Sequence, residues 1–236
     1  MAVHEDFAPL RDYLARPERF RNRQRLVAWA RTVLSLPPDG TPDYLQPEAW
    51  WQELLAAVPD PAAALTALSE ATGIYFFPSR EWPARLVRVL RHLGVRRLLE
   101  AGAGRGYLSQ ALAPLARQAG MAFLAVDRGE GEFVSDLEVS PVVVPGDAFK
   151  GVHDFRPEAV FYGWPPPGQS VAPFFACPTV RWVIVAGEPG GGVTGAREDW
   201  QRLAPRPSPA LSSFCRGRRG PNRHGVTIFR RPELQA

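Results

Sequence analysis

Lysine is nearly absent from this chain: Lys150 stands alone among 28 basic residues, and the rest are arginine. Two cysteines, Cys177 and Cys215, are too few for a disulfide framework or for a zinc site built on paired thiolates. Four histidines, His4, His92, His153 and His224, have no metal-ligand spacing between any two of them, so no metal is expected. No stretch reaches the roughly 18 consecutive apolar residues of a membrane span. The start, MAVHEDFAPLRDYL, carries acids where a signal peptide would carry positive charge, so a cytoplasmic protein without membrane contact is expected. The 25 Pro and 21 Gly in 236 residues stay below the roughly 25–30% of low-complexity chains, which excludes disorder along the whole length. The charge balance is small, 28 Lys+Arg against 24 Asp+Glu, and a net +4 is weak support for a nucleic-acid partner.

What is present divides the chain in two. Residues 1–78 show helical periodicity: one stretch from Glu5 to Leu14, and a second after Pro17 with Phe20, Val27, Ala30 and Leu34 on one arc. The LPPDGTP breaker at 36–42 stops the second. A third helix is expected from Pro47 to Val58, and a fourth opens at Asp60-Pro61, an N-cap followed by Pro, and ends near Gly73. No strand pair is expected before residue 94, and Ser79 is placed as the cap of a helix through Leu93. From Val95 onward short apolar runs alternate with helices: VRRLLEAG, YLSQALAPLARQ, MAFLAVD, VVVPGD, EAVFYGW, VRWVIVAGE and GVTIFRR. That alternation predicts an α/β domain over 79–236, with a doubly wound, mostly parallel sheet and an antiparallel strand near its end.

The strongest chemical signal is LLEAGAGRGYLSQAL at 98–112, an apolar strand that ends in Glu100, turns through Gly102, Ala103, Gly104 and Gly106, and enters an amphipathic helix. Glycine lets a ligand approach the backbone there, and the helix start offers free N–H groups. Asp127 closes the following strand, where a carboxylate can accept both hydroxyls of a ribose. Taken singly, these residues have plainer readings: a structural strand-to-helix turn, a strand-end cap at Asp127, an ordinary turn at Asp147. A dinucleotide fingerprint would be G-x-G-x-x-G, whereas this run is G-x-G-x-G after an acid.

In these residues the chain resembles the class I S-adenosylmethionine-dependent methyltransferases, whose first motif is an acid followed by spaced glycines. The resemblance spans 95–236 and implies a seven-stranded Rossmann-like sheet with S-adenosylmethionine as cofactor. It implies that Glu100 and the glycines cradle the methionine portion and that Asp127 holds the ribose. GDAF at 146–149 would lie beside the adenine, with Asp147 on its amino group and Ala148 next to it. The short gap between Asp127 and Asp147 implies a reduced intervening helix. GIYFFP at 73–78 resembles the aromatic-x-x-Pro segment that packs on the cofactor in amino-methylating enzymes, which would put Tyr75, Phe77 and Pro78 at the site; an apolar linker is the alternative.

FYGWPPPGQ at 161–169 stands where adenine- and glutamine-amide methyltransferases carry Asp or Asn, then Pro-Pro, then an aromatic residue. Here the polar residue is replaced by Trp164, and indole can only donate a hydrogen bond. Trp164 is therefore expected to offer its ring to a flat or cationic acceptor, with the carbonyls of Gly163 and Trp164 as acceptors beside it. Glu188, just past the next strand in VIVAGEPGGGVTG, is the candidate base or amine-orienting carboxylate. The methyl acceptor is not identified by the sequence, and a non-catalytic S-adenosylmethionine-binding or partner-binding protein is the alternative reading. Arginines at 216–223 (Arg216, Arg218, Arg219, Arg223) are the better-placed candidates for nucleic-acid contact; those at 16–25 read as a solvated face, because Arg16, Arg19 and Arg23 share an arc that Arg21 and Arg25 do not. The helical segment is expected to shape the substrate entrance or to form a homodimer.

Overall fold

The computed structural model describes residues 7–34, 45–129, 138–191, 193–217 and 224–232. Four helices lead: α1 (Ala8–Ala15), α2 (Phe20–Leu34), α3 (Glu48–Ala56) and α4 (Pro61–Thr72). α4 starts as its sequence requires, with the Asp60 carboxylate accepting from the amides of Ala62 and Ala63, and it stops at Gly73 in the left-handed region (φ 72°). Apart from Phe20, which the sequence places on the α2 arc but which stays exposed, the apolar arcs meet in one core containing Leu10, Leu26, Ala30, Trp51, Leu54, Leu65 and Leu68. Aromatic rings run through it from Phe7 to Trp50 (5.7 Å), Trp50 to Trp51 (5.0 Å) and Trp51 to Phe77 (5.4 Å), geometry that adds to simple burial. The breaker at 36–42 and the segment 130–137, on which the reduced-helix reading rests, lie outside the described residues.

A strand follows that the sequence does not announce. β1 (Phe76–Pro78) pairs antiparallel with β8 (Cys215–Gly217), so the expectation of no strand pair before residue 94 is corrected. Because side chains alternate across a strand, Phe77 enters the helical core while Phe76 packs against the core of the α/β half. α5 (Trp82–His92) is capped at Glu81 and not at Ser79. Ser79 is fully buried, and its backbone amide bonds Phe214 O at 2.9 Å, which holds it in the β1–β8 region and out of a capping position.

The α/β half continues with β2 (Arg97–Ala101), α6 (Tyr107–Gln118), β3 (Ala122–Asp127), β4 (Val143–Pro145), α7 (Ala148–Phe155), β5 (Ala159–Gly163) and β6 (Trp182–Gly187). α8 (Arg197–Arg202), β7 (Arg206–Pro207), α9 (Pro209–Ser212), β8 and β9 (Gly225–Arg230) complete it. Seven strands form one sheet in the order β4-β3-β2-β5-β6-β9-β7. β4, β3, β2, β5 and β6 run parallel to one another, and β9 runs antiparallel to both β6 and β7. The order reverses at β2, whose neighbours β3 and β5 lie on opposite sides, and ligands bind beyond the carboxyl ends of strands at such a point. Between β5 and β6 the crossover is a short 3-10 turn (Ala172–Ala176) behind the proline run. Among the described residues no helix is long and apolar enough to cross a membrane.

The two halves are joined by a buried ion pair. Arg216, on β8, donates to both oxygens of Glu48 at the start of α3, with Nη1 to Oε2 at 2.9 Å; the side chains are only 9% and 15% exposed. This corrects the nucleic-acid assignment of Arg216, which faces inward because its partner carboxylate is buried there. Arg218, Arg219 and Arg223 lie outside the described residues. Arg216→Ala strands the Glu48 carboxylate and is expected to lower unfolding free energy in urea by about 3 kcal/mol. In a Glu48→Gln background the same change should cost clearly less, since no buried charge is left behind.

Candidate functional site

Two clefts of about 290 Å³ each open at the carboxyl ends of β2, β3 and β5. They share Gly102, Asp127, Gly163 and Trp164, so they are two arms of one site. The first arm brings together Glu100, Ala103, Gly104, Arg105 and Tyr107 with Gly73, Ile74, Tyr75 and Phe76 from the end of the helical segment. The second adds Arg128, Asp147, Ala148, Phe149, Tyr162 and Gln169.

The turn after β2 shows why glycine is required. Gly102 has φ 62°, and a Cβ there would stand 2.6 Å from the Tyr162 ring. Gly104, at φ 57°, has open space where a Cβ would point, so its backbone faces the cleft bare. Gly106 lines neither arm. It is the N-cap of α6 with φ 83°, and a Cβ would come within 2.7 Å of Ser140 and Val143, so its part is close packing of the turn and not ligand contact.

Asp127 is fixed by backbone amides: Oδ2 accepts from Gly104 N at 2.8 Å and Oδ1 from Gly129 N at 2.7 Å. Each carboxylate oxygen keeps a second acceptor direction for a ligand hydroxyl. Glu100 is 4% exposed and accepts from the Ser109 hydroxyl at 2.7 Å. Burial pushes its carboxyl up to about 8, against the ordinary 4.5; the Ser109 bond pulls it back down, and the nearby Asp127 charge raises it further. The first arm thus ends in an acid that a cationic amine would ionise. Asp147 caps α7 by accepting from Lys150 N at 2.9 Å and pairs with Arg128 across the mouth of the second arm. Behind it Phe149 and Phe174 stack at 4.6 Å, giving the arm a flat apolar wall.

Trp164 sits where the arms meet, with a positive φ of 58° that a bulky side chain seldom adopts. Its backbone amide donates to Ala186 O at 2.7 Å, and its ring packs so closely over Gly217 that a Cβ there would lie 2.3 Å away. The proline run is clamped from behind. Gly195 N donates to Pro165 O (3.0 Å), and Gly168 N donates to Gly195 O (2.9 Å). Thr194 Oγ1 accepts from Glu188 N at 2.7 Å, and buried Asp199 accepts from Ser170 and Val171.

Three sequence expectations are corrected by this geometry. Glu188 lines neither arm, and its carboxylate turns back toward Val193 N at 3.4 Å within its own loop. Phe77 is 2% exposed in the helical core, and Pro78 is paired with Cys215; in their place Phe76, Ile74 and Tyr75 reach the cleft. Arg105, Tyr107, Phe149 and Tyr162, which lie inside the motif stretches without having been singled out, also line the site, as does Arg128, which lies in no motif.

No family model and no curated protein matches this chain. Similar solved structures include an O-methyltransferase from Bacillus cereus in complex with S-adenosylhomocysteine: 13% identity, 76% of this chain and 95% of that one covered, TM-score 0.41. Another is the O-methyltransferase TomG from Streptomyces achromogenes in complex with S-adenosylmethionine, at 16% identity, 77% and 93% coverage and TM-score 0.42. Human N-acetylserotonin methyltransferase in complex with S-adenosylmethionine aligns over 94% of this chain and 70% of that one, at 11% identity and TM-score 0.42. These likenesses are too distant to carry function. The class of fold is set by the chain's own strand order, a doubly wound, mostly parallel sheet of seven strands as the methyltransferase resemblance implies, with the expected antiparallel strand, β9, seated between β6 and β7.

The raised Glu100 carboxyl makes stability depend on pH with a definite sign. A folded-state value above the unfolded one contributes stability fully present below about 4.5 and lost as pH rises through about 8. Melting temperature measured between about pH 5 and 9 should therefore fall more steeply for the native chain than for Glu100→Gln, with the gap largest at the alkaline end.

Proposed function

We propose that this protein is an S-adenosylmethionine-dependent methyltransferase. The observation that carries the reading is the convergence of Asp127, the bare Gly104 backbone and the buried Glu100 on one bipartite cleft at the reversal of strand order. The residues fit the cofactor by their chemistry. Glu100 suits an ammonium at the inner end of the first arm, Asp127 suits a pair of ribose hydroxyls at the junction, and the Phe149 side of the second arm suits a flat base. Asp147 and Ala148 stand beside that base, and Gly163 lets the two arms communicate. When bound, S-adenosylmethionine supplies a methyl group on a sulfonium.

The acceptor side is aromatic: Tyr75, Phe76 and Tyr107 surround the first arm, and Trp164 closes it where the arms join. Positioning a nucleophile in line with the methyl group is the protein's main contribution. Both carboxylates of the first arm are assigned to the cofactor, which favours an acceptor that presents its own lone pair. The cofactor, held by Glu100 and Asp127, would supply the methyl group to that lone pair. The helical segment, through Thr72, Gly73 and Ile74, borders the entrance and so takes part in choosing the acceptor.

Calorimetric titration of the purified chain tests the reading. S-adenosylmethionine and S-adenosylhomocysteine should bind, NAD should not, and Asp127→Ala should weaken both by about 10-fold or more, the worth of hydrogen bonds to a charged group. Glu188→Gln should leave both affinities unchanged. Binding of NAD in their place, or of none of the three, overturns the proposal. If the donor binds, labelled-methyl transfer to fractionated small molecules, RNA and protein identifies the acceptor class, and no transfer to any of them reduces the chain to a donor-binding protein.

A further inference from the structure

We infer that the corner between α1 and α2 is a binding surface for single-stranded nucleic acid, independent of the reading of the cleft. Residues 11–25 contain Arg11, Arg16, Arg19, Arg21, Arg23 and Arg25 against Asp12 and Glu18. That is a local excess of four positive charges within fifteen residues.

The separation of these arginines onto two helical arcs, which from sequence argues against one surface, loses its force in three dimensions. The earliest buried residue of α2 is Leu26, so its first turn and a half projects beyond the core. Arg16, Arg19, Arg21, Arg23 and Arg25 are all exposed whichever arc they occupy. Arg25 is held by Asp12 at 2.8 Å, whereas the side chains of Arg16, Arg19, Arg21 and Arg23 make no ion pair or hydrogen bond among the described residues.

The second observation is Phe20. Its ring is 73% exposed in the middle of these arginines, the most exposed large apolar side chain among the described residues. Leaving a phenyl ring in water forgoes the free energy of its burial, and neither core contains it. An exposed ring flanked by unpaired guanidinium groups is what single strands use: the ring stacks on a base, and the cations meet the backbone phosphates. A duplex hides its base faces, so the ring favours the single-stranded form. Arginine also suits phosphate through its planar fork.

Fluorescence anisotropy of the full chain with labelled oligouridine and oligothymidine of roughly 12 nucleotides tests this. At least one should bind, and affinity should fall with salt with a log–log slope near −3, as expected for about four phosphates on a single strand. Arg19→Glu/Arg21→Glu/Arg23→Glu should weaken binding more than about 30-fold and flatten the slope. Phe20→Ala should weaken it about 10-fold and leave the slope unchanged, the signature of a lost stack. Circular dichroism and melting temperature of each variant should match the native chain, which separates loss of this surface from misfolding. The inference is overturned if neither oligonucleotide binds, if the triple variant binds as well as the native chain, or if Phe20→Ala has no effect. Binding to phosphatidylserine vesicles with no binding to either oligonucleotide also overturns it, in favour of a membrane surface.

Discussion

The site depends on one close approach, that of the β2–α6 turn to its neighbours on both sides. On one side Gly102 lies against the Tyr162 ring of β5 with no room for a Cβ; on the other, Gly104 donates its N–H to Asp127 at the end of β3. These contacts fix three adjacent strand ends relative to one another. They also do two jobs with the same atoms, since the amides that hold Asp127 leave its outer lone pairs directed at the space between the arms. A larger residue at Gly102 would push the turn off β5, and the shared wall of the two clefts would be lost.

A second constraint sets the outer rim. β1 and β8 come from distant parts of the chain, and the Arg216–Glu48 pair ties them to the start of α3. The alternation of Phe76 and Phe77 on β1 sends one ring into each core, so the helical segment cannot move without disturbing the α/β core. Ile74 and Tyr75, just before β1, are therefore carried into the cleft beside Phe76 by Phe77 and the Arg216–Glu48 pair, which do not touch it. The entrance is built from the packing of two cores and not from a loop laid over one.

Much of this was legible in sequence, for identifiable reasons. Strands β2, β3, β5, β6 and β9 are apolar runs bounded by turns, and α4 carries its start and stop signals at Asp60 and Gly73, so local chemistry suffices. Glu100, Gly102 and Asp127 could be singled out because strand ends and a glycine turn leave a local imprint. The failures share a cause: contacts whose partner is far along the chain. Arg216 sits in an Arg- and Gly-rich stretch that reads as a loop, and its orientation is decided by Glu48, 168 residues away. A three-residue strand ending in Pro78 has too little length to show a period, so the phase of Phe76 and Phe77 could not be read. Glu188 lies at the right end of its strand, but the turn after it brings its carboxylate back toward Val193 N.

The same logic bears on Trp164. A bulky residue at positive φ costs about 1–2 kcal/mol and persists only where its surroundings over-determine it. Here they do so from three directions: Ala186 O holds its N–H, Gly217 admits the ring, and Gly195 pins the prolines that follow. Gly195 in turn is positioned by a segment whose Thr194 hydroxyl accepts from Glu188 N and crowds Gly187 so closely that only glycine fits there. The W-P-P-P run and the G-E-P-G-G-G-V-T-G run, which look like two separate motifs in the sequence, are therefore the two faces of one clamp. Glu188 belongs to that clamp through its backbone and its loop. The ring it helps to fix belongs to the residue that lines both arms of the cleft where they meet.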